Sequence, residues 1–106
     1  MSIAARFPVD VRVQVFAGDK ASFGWSEDLS TSGVSAYIPC ELEIGQHVRV
    51  LLRAPFKSDE LEVGAVVRNR AGFRYGFEFR DIRLSQQDML AEICETLKNL
   101  EHLRIT

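Results

Sequence analysis

The chain has 106 residues, 46% of them apolar and 26% charged, with a formal net charge of -2 at neutral pH. That is room for one domain, 1–106, with a single core, and it excludes a disordered chain as well as broad electrostatic capture of nucleic acid or anionic membrane. An anionic ligand must therefore be small and met by local arginines. No apolar run approaches the roughly 20 residues needed to cross a bilayer, and Met1 to Phe7 lacks the apolar core of a signal peptide. Cys40 and Cys94 stand far apart and outside any CxxC spacing, which points to packing residues in a reduced, cytoplasmic protein rather than to a disulfide or a zinc site.

Taken in order, Val9, Val11, Val13 and Val15 alternate with Asp10, Arg12 and Gln14, the period-two pattern of a strand with one buried face. Ala17-Gly18-Asp19-Lys20 turns the chain. A second strand runs through Ser22 to Glu27, with Phe23 and Trp25 on one side, into Asp28-Leu29-Ser30-Thr31-Ser32-Gly33. This is the densest polar stretch of the chain. Asp28 can fold its carboxylate onto the amide two residues on, Ser30 and Ser32 can do so more weakly, and Gly33 suits a positive φ. By themselves these six residues favour an ordinary capped turn over a ligand rim.

Val34 and Ala36 continue as a strand until Pro39, and Gly45 marks a turn. Val48, Val50 and Leu52 then face inward between Arg49, Leu51 and Arg53. After a polar turn from Pro55 to Glu60, Leu61, Val63, Ala65 and Val67 alternate, and Val66 signals a bulge or a strand buried on both faces. Beyond Ala71-Gly72, the run Phe73, Tyr75, Phe77 and Phe79 reads as a core stripe. Ser85-Gln86-Gln87-Asp88 is a capping-box variant with Leu84 and Met89 as a hydrophobic staple, and Leu90, Ile93, Leu97 and Leu100 follow at helical spacing. The expected fold is mainly β: a six-stranded antiparallel barrel or sandwich over about 9–80 and an amphipathic α-helix over about 85–101. The helical stripe packs on the barrel or pairs a homodimer.

Catalytic chemistry is poorly supported. His47 lies at the start of a strand and His102 on the helix tail, the carboxylates Asp59, Glu60 and Glu62 cluster at a charged turn, and the glycines are isolated. The expectation is a protein that is not an enzyme and holds no metal or cofactor. A single-stranded nucleic acid binder would need exposed aromatics in a basic groove. The aromatic run from Phe73 looks internal, so neither DNA nor RNA is expected as a partner.

The order Arg6-Phe7-Pro8, a hairpin, Asp28 to Gly33, a turn at Gly45, a strand ending near Pro55, Val66-Val67-Arg68, Gly76-Phe77-Glu78-Phe79 and a last helix resembles the PilZ domain over nearly the whole chain. Its D/N-x-S-x-x-G motif is matched by Asp28, Ser30 and Gly33. The resemblance implies a six-stranded barrel with a C-terminal helix and, as ligand, the bacterial second messenger cyclic di-GMP. That ligand is held by this motif and by an R-x-x-x-R segment just before the first strand. Arginine suits both parts of it, forking onto phosphate or guanine O6 and N7 or stacking on the base, while a carboxylate accepts from the guanine edge.

The arginine segment is incomplete here. Ala5 and Val9 stand at the two arginine positions, or Asp10 at the second if the motif starts at Arg6. Arg6 and, six residues on, Arg12 are the remaining candidates beside Asp28, Ser30 and Gly33. Each missing charge-assisted contact is worth ~1.5–3 kcal/mol, or roughly tenfold to a hundredfold in affinity. The resemblance thus implies a second-messenger domain with weakened binding. The alternative is a nucleotide-independent adaptor that recruits a protein partner through its helix or an exposed strand edge, without entering a membrane.

Overall fold

The alternating segments do form strands. In the computed structural model, which describes residues 11–53 and 60–105 and side chains as far as Asn99, the elements are β1 (Arg12–Ala17), β2 (Lys20–Leu29), β3 (Gly33–Tyr37), β4 (His47–Arg53), β5 (Glu60–Ala71), β6 (Arg74–Arg80) and α1 (Leu84–Ile105). Val9, the arginine segment and Pro55 lie outside the described residues. The six strands close into one antiparallel barrel in the order β1-β2-β3-β6-β5-β4, with β1 against β4 as the seam. Closure leaves no strand edge among the described residues, so the exposed edge that an adaptor was expected to use is absent.

The inward positions are those of the period-two pattern. Val11, Val13, Val34, Val50, Leu52, Val63, Phe77 and Phe79 are all buried, in one cluster with Leu29, Ile38 and Tyr75. Leu90, Ile93 and Leu97 of α1 join that same cluster, so this part of the helical stripe packs on its own barrel, while the Leu100 side chain lies outside those described. Each such side chain contributes about 1.5–3 kcal/mol of burial. Tyr75 is the one large aromatic that is fully buried with a polar end, and its hydroxyl is satisfied twice. It donates to the Cys40 carbonyl at 2.7 Å and accepts from the Leu42 N–H at 2.9 Å, tying the segment before β4 to β6.

Several local expectations change. Phe73 leaves the core stripe: it sits in the tight turn between β5 and β6 and is exposed, because β5 runs on to Ala71 and leaves only two residues for the connection. The helix cap lies two residues earlier than Ser85. The side chain of Gln86 reaches back to accept the Arg83 N–H at 2.9 Å and donates to the Glu62 carbonyl of β5 at 2.6 Å. That is the returning half of a capping box, docked on the barrel. Leu84 is 79% exposed and makes no staple, whereas Met89 packs on the core. Asp28 and Leu29, placed by the sequence in a loop, extend β2.

A candidate ligand cleft on the barrel wall

The cleft is a consequence of two β-bulges. In β2 the pairing with β3 slips between Ser26 and Asp28, so Ser26 and Leu29 are buried while the consecutive residues Glu27 and Asp28 both reach the outer surface. In β5 the pairing with β6 slips between Val67 and Asn69; Ala65, Val66 and Val67 are buried in succession and the strand beyond them faces outward. The bulge anticipated at Val66 therefore falls just after it, and Val66 is buried as well. Bulges re-aim side chains in this way at the cost of one unpaired residue each.

Between the bulges, Asp28 pairs with Ser35, Ser35 with Gly76 and Gly76 with Asn69, a single row across four strands. Gly76 keeps the middle of the row low. A Cβ there would lie 2.4 Å from Asn69 Oδ1 and 2.6 Å from Nδ2, so the Asn69 amide lies directly over its backbone. The resulting cleft, of about 320 Å³, is lined by Glu27, Asp28, Ser35, Asn69, Arg70, Ala71, Arg74 and Tyr75. Its floor offers a carboxylate, a hydroxyl and an amide: acceptors for a base edge together with neutral donors.

Its cations are engaged. Arg74 forks onto Glu27, with Nε 2.7 Å from Oε1 and a second contact from NH2 to Oε2, and this hydrogen-bonded partner holds the Glu27 carboxyl below its ordinary range. Arg70 donates to the carbonyls of Gly72 at 2.8 Å and Leu42 at 3.2 Å, with its guanidinium 5.5 Å from the centre of the Tyr75 ring. This wall gathers a carboxylate, a hydroxyl and an amide at its floor and commits its guanidiniums to the protein itself.

The five residues singled out in the sequence separate accordingly. Asp28 lines the cleft, and its Oδ1 is shielded from solvent. Ser30 is buried and holds the turn: its N–H donates to the Gly33 carbonyl at 2.9 Å, and its Oγ accepts the Ser32 N–H at 3.2 Å and lies 3.0 Å from Ser32 Oγ. With the Ser30 N–H given to Gly33, the expected turn closed by Asp28 is replaced by one closed by a serine. Gly33 does not take a positive φ, unlike Gly18, Gly45 and Gly72. It is needed for closeness instead, because a Cβ would stand 2.3 Å from the Phe77 carbonyl oxygen across the β3–β6 ladder. Arg12 is outside the cleft, 5.3 Å over the Trp25 ring, beside a shallow recess of about 50 Å³. Arg6 lies outside the described residues.

Sequence reasoning missed Ser35, Asn69, Arg70 and Arg74 as cleft residues. Their placement depends on cross-strand register through two bulges, for which the doubled valine at 66–67 was the one visible sign. Among the described residues no group of three or more His, Cys, Asp or Glu is placed to hold a metal ion, and no helix is long and apolar enough to cross a membrane.

The PilZ domain family model matches residues 4–96. No curated protein matches the chain. Among solved structures, the fold is similar to YcgR from Escherichia coli in complex with c-di-GMP, at TM-score 0.84 and 16% identity over 98% of this chain and 49% of that one. It is similar to the Bacillus subtilis inhibitor of motility MotI/DgrA, at TM-score 0.76 and 19% identity over 93% of this chain and 52% of that one. The PilZ domain of CeSA from a cellulose-synthesizing bacterium is matched over its whole length and 93% of this chain, at TM-score 0.66 and 24% identity. The chain thus spans about half the length of YcgR and of MotI.

Proposed function

The chain belongs to the PilZ domain family, and from that premise we propose that it is a non-enzymatic, cytoplasmic second-messenger domain that binds cyclic di-GMP weakly. The observation that carries this reading is the cleft at the D-x-S-x-x-G stretch. About 320 Å³ falls within the range of small-ligand sites, roughly 300–1,000 Å³, and its floor of Asp28, Ser35 and Asn69 suits a guanine edge. YcgR, whose fold it resembles, has been solved with c-di-GMP. Weakness follows from the cations. Arg74 is paired with Glu27 and Arg70 with backbone carbonyls, so two phosphates must be met from the segment before β1, where Arg6 stands without the usual pair of arginines.

Calorimetric titration with cyclic di-GMP tests it. Weak binding that disappears in Asp28→Ala and strengthens when Ala5→Arg and Val9→Arg are introduced together supports the reading. No heat even from the repaired variant supports the second reading, a nucleotide-independent adaptor acting on a protein partner. The likeness to MotI, described as an inhibitor of motility, supports action on a protein partner in either reading.

A further inference from the structure

Aromatic side chains are costly to leave in water, and this barrel exposes several on one wall. Phe23 is 69% exposed, Trp25 51%, Tyr37 47% and Phe73 41%. Trp25 and Tyr37 belong to an ordered arrangement. Arg53 pairs with Arg12 across β4–β1, Arg12 with Trp25 across β1–β2, Trp25 with Tyr37 across β2–β3, and Tyr37 with Arg74 across β3–β6. All five side chains are exposed, giving a single row Arg53-Arg12-Trp25-Tyr37-Arg74 around the barrel. At the spacing of neighbouring strands it is about 20 Å wide. Phe73 stands edge-on to Tyr37 at 6.3 Å and prolongs the apolar centre.

Arg12 and Arg53 are direct cross-strand neighbours, an arrangement of like charges that weakens a sheet. Arg53 has Glu60 as partner and Arg74 has Glu27, while Arg12 lies over the Trp25 ring and, among the described residues, against no carboxylate. From this row we infer a docking surface for a protein partner that lays an apolar group on Trp25 and Tyr37 and brings an aspartate or glutamate to Arg12. The composition is that of interface hot spots, which are rich in tryptophan, tyrosine and arginine. Among the described residues of the row one cation, Arg12, is left without a carboxylate, which fits one acidic side chain and not a phosphate backbone, whose capture rests on many cations. A small molecule does not fit, since the recess beside Arg12 measures only about 50 Å³. Among the described residues the closed barrel also leaves no edge for strand addition, so the partner docks by side chains.

The test replaces Trp25, and separately Tyr37, with the photoreactive p-benzoylphenylalanine in the full chain in its native host, with the helix position Lys98 as control. The surface requires a nuclease-resistant adduct with one discrete protein, absent from the Lys98 control and lost in Arg12→Glu, whose crosslinked peptide carries Asp or Glu. With that protein purified, Trp25→Ala raises the Kd about thirtyfold, a hot-spot effect. Reversing the partner's acid to arginine restores binding to Arg12→Glu. The thermal midpoints of Trp25→Ala and Tyr37→Ala stay near the parent's, so lost binding is not lost folding. The inference is overturned by no adduct, by a self-adduct at twice the chain's mass, by an adduct that nuclease removes, or by one indifferent to Arg12→Glu. Asp28→Ala separates it from the nucleotide reading: the adduct persists there, and its disappearance would make the row part of the nucleotide site and overturn an independent surface.

Discussion

Gly33 is required by its neighbour across the ladder. Because a Cβ would stand 2.3 Å from the Phe77 carbonyl oxygen, Gly33→Ala must push β3 away from β6. A cost of ~1–3 kcal/mol, the range for overpacking, is expected in urea unfolding, and a variant as stable as the parent would contradict that contact. If the cleft takes the nucleotide as proposed, Asp28→Ala should remove calorimetric binding of cyclic di-GMP, and binding that survives the change would take Asp28 out of the site. The two cysteines differ by environment: Cys94 is buried, and burial pushes its thiol up from the ordinary value, while Cys40 is partly exposed. Iodoacetamide at pH 8 should therefore modify Cys40 well ahead of Cys94 in the folded protein, since the thiolate is the reacting form. Equal rates would show that Cys94 is not shielded as described.

At the scale of elements, α1 is held by its stripe and by its first turn. Ile93 lies in the barrel's own core cluster, so Ile93→Ala should cost ~2–5 kcal/mol in stability and leave the sedimenting mass unchanged. A fall in mass at unchanged stability would mean that the stripe mediates pairing between chains. Tyr75 plays the corresponding part for the segment before β4. Tyr75→Phe strands the Leu42 N–H and the Cys40 carbonyl, and ~1–3 kcal/mol should be lost from unfolding free energy.

For the whole molecule, closing the barrel means that binding must use its outer wall, its ends or its helix, and two parts of that wall, which meet at Arg74, are equipped. The cleft between the bulges presents acceptors; the row through Trp25 and Tyr37 presents aromatics and arginine. The cleft's own guanidiniums are committed to Glu27 and to backbone carbonyls, so on the proposed reading affinity for a doubly charged nucleotide depends on cations added before β1. Ala5→Arg with Val9→Arg should gain ~1.5–3 kcal/mol per arginine, and the gain should shrink in high salt because part of it is ionic. A gain that is independent of salt would mean that the new arginines do not meet phosphate.

The sequence alone determined the strands, the helix and which side of each faces inward. Period-two and helical spacing are local properties, and burial of one face enforces them, as Val11 to Leu52 and Leu90 to Leu97 show. It also marked the stretch that holds Asp28, Ser30 and Gly33, because a dense run of polar residues is written consecutively. Tertiary structure decided what those residues do. A bulge, which adds one residue to one strand, reverses the inside–outside pattern beyond it, and no single strand records which partner residue it will face. Only the assembled register sets Ser35, Gly76 and Asn69 in line with Asp28. The same register turns Phe73 outward and lays Arg12 over Trp25 instead of beside the cleft.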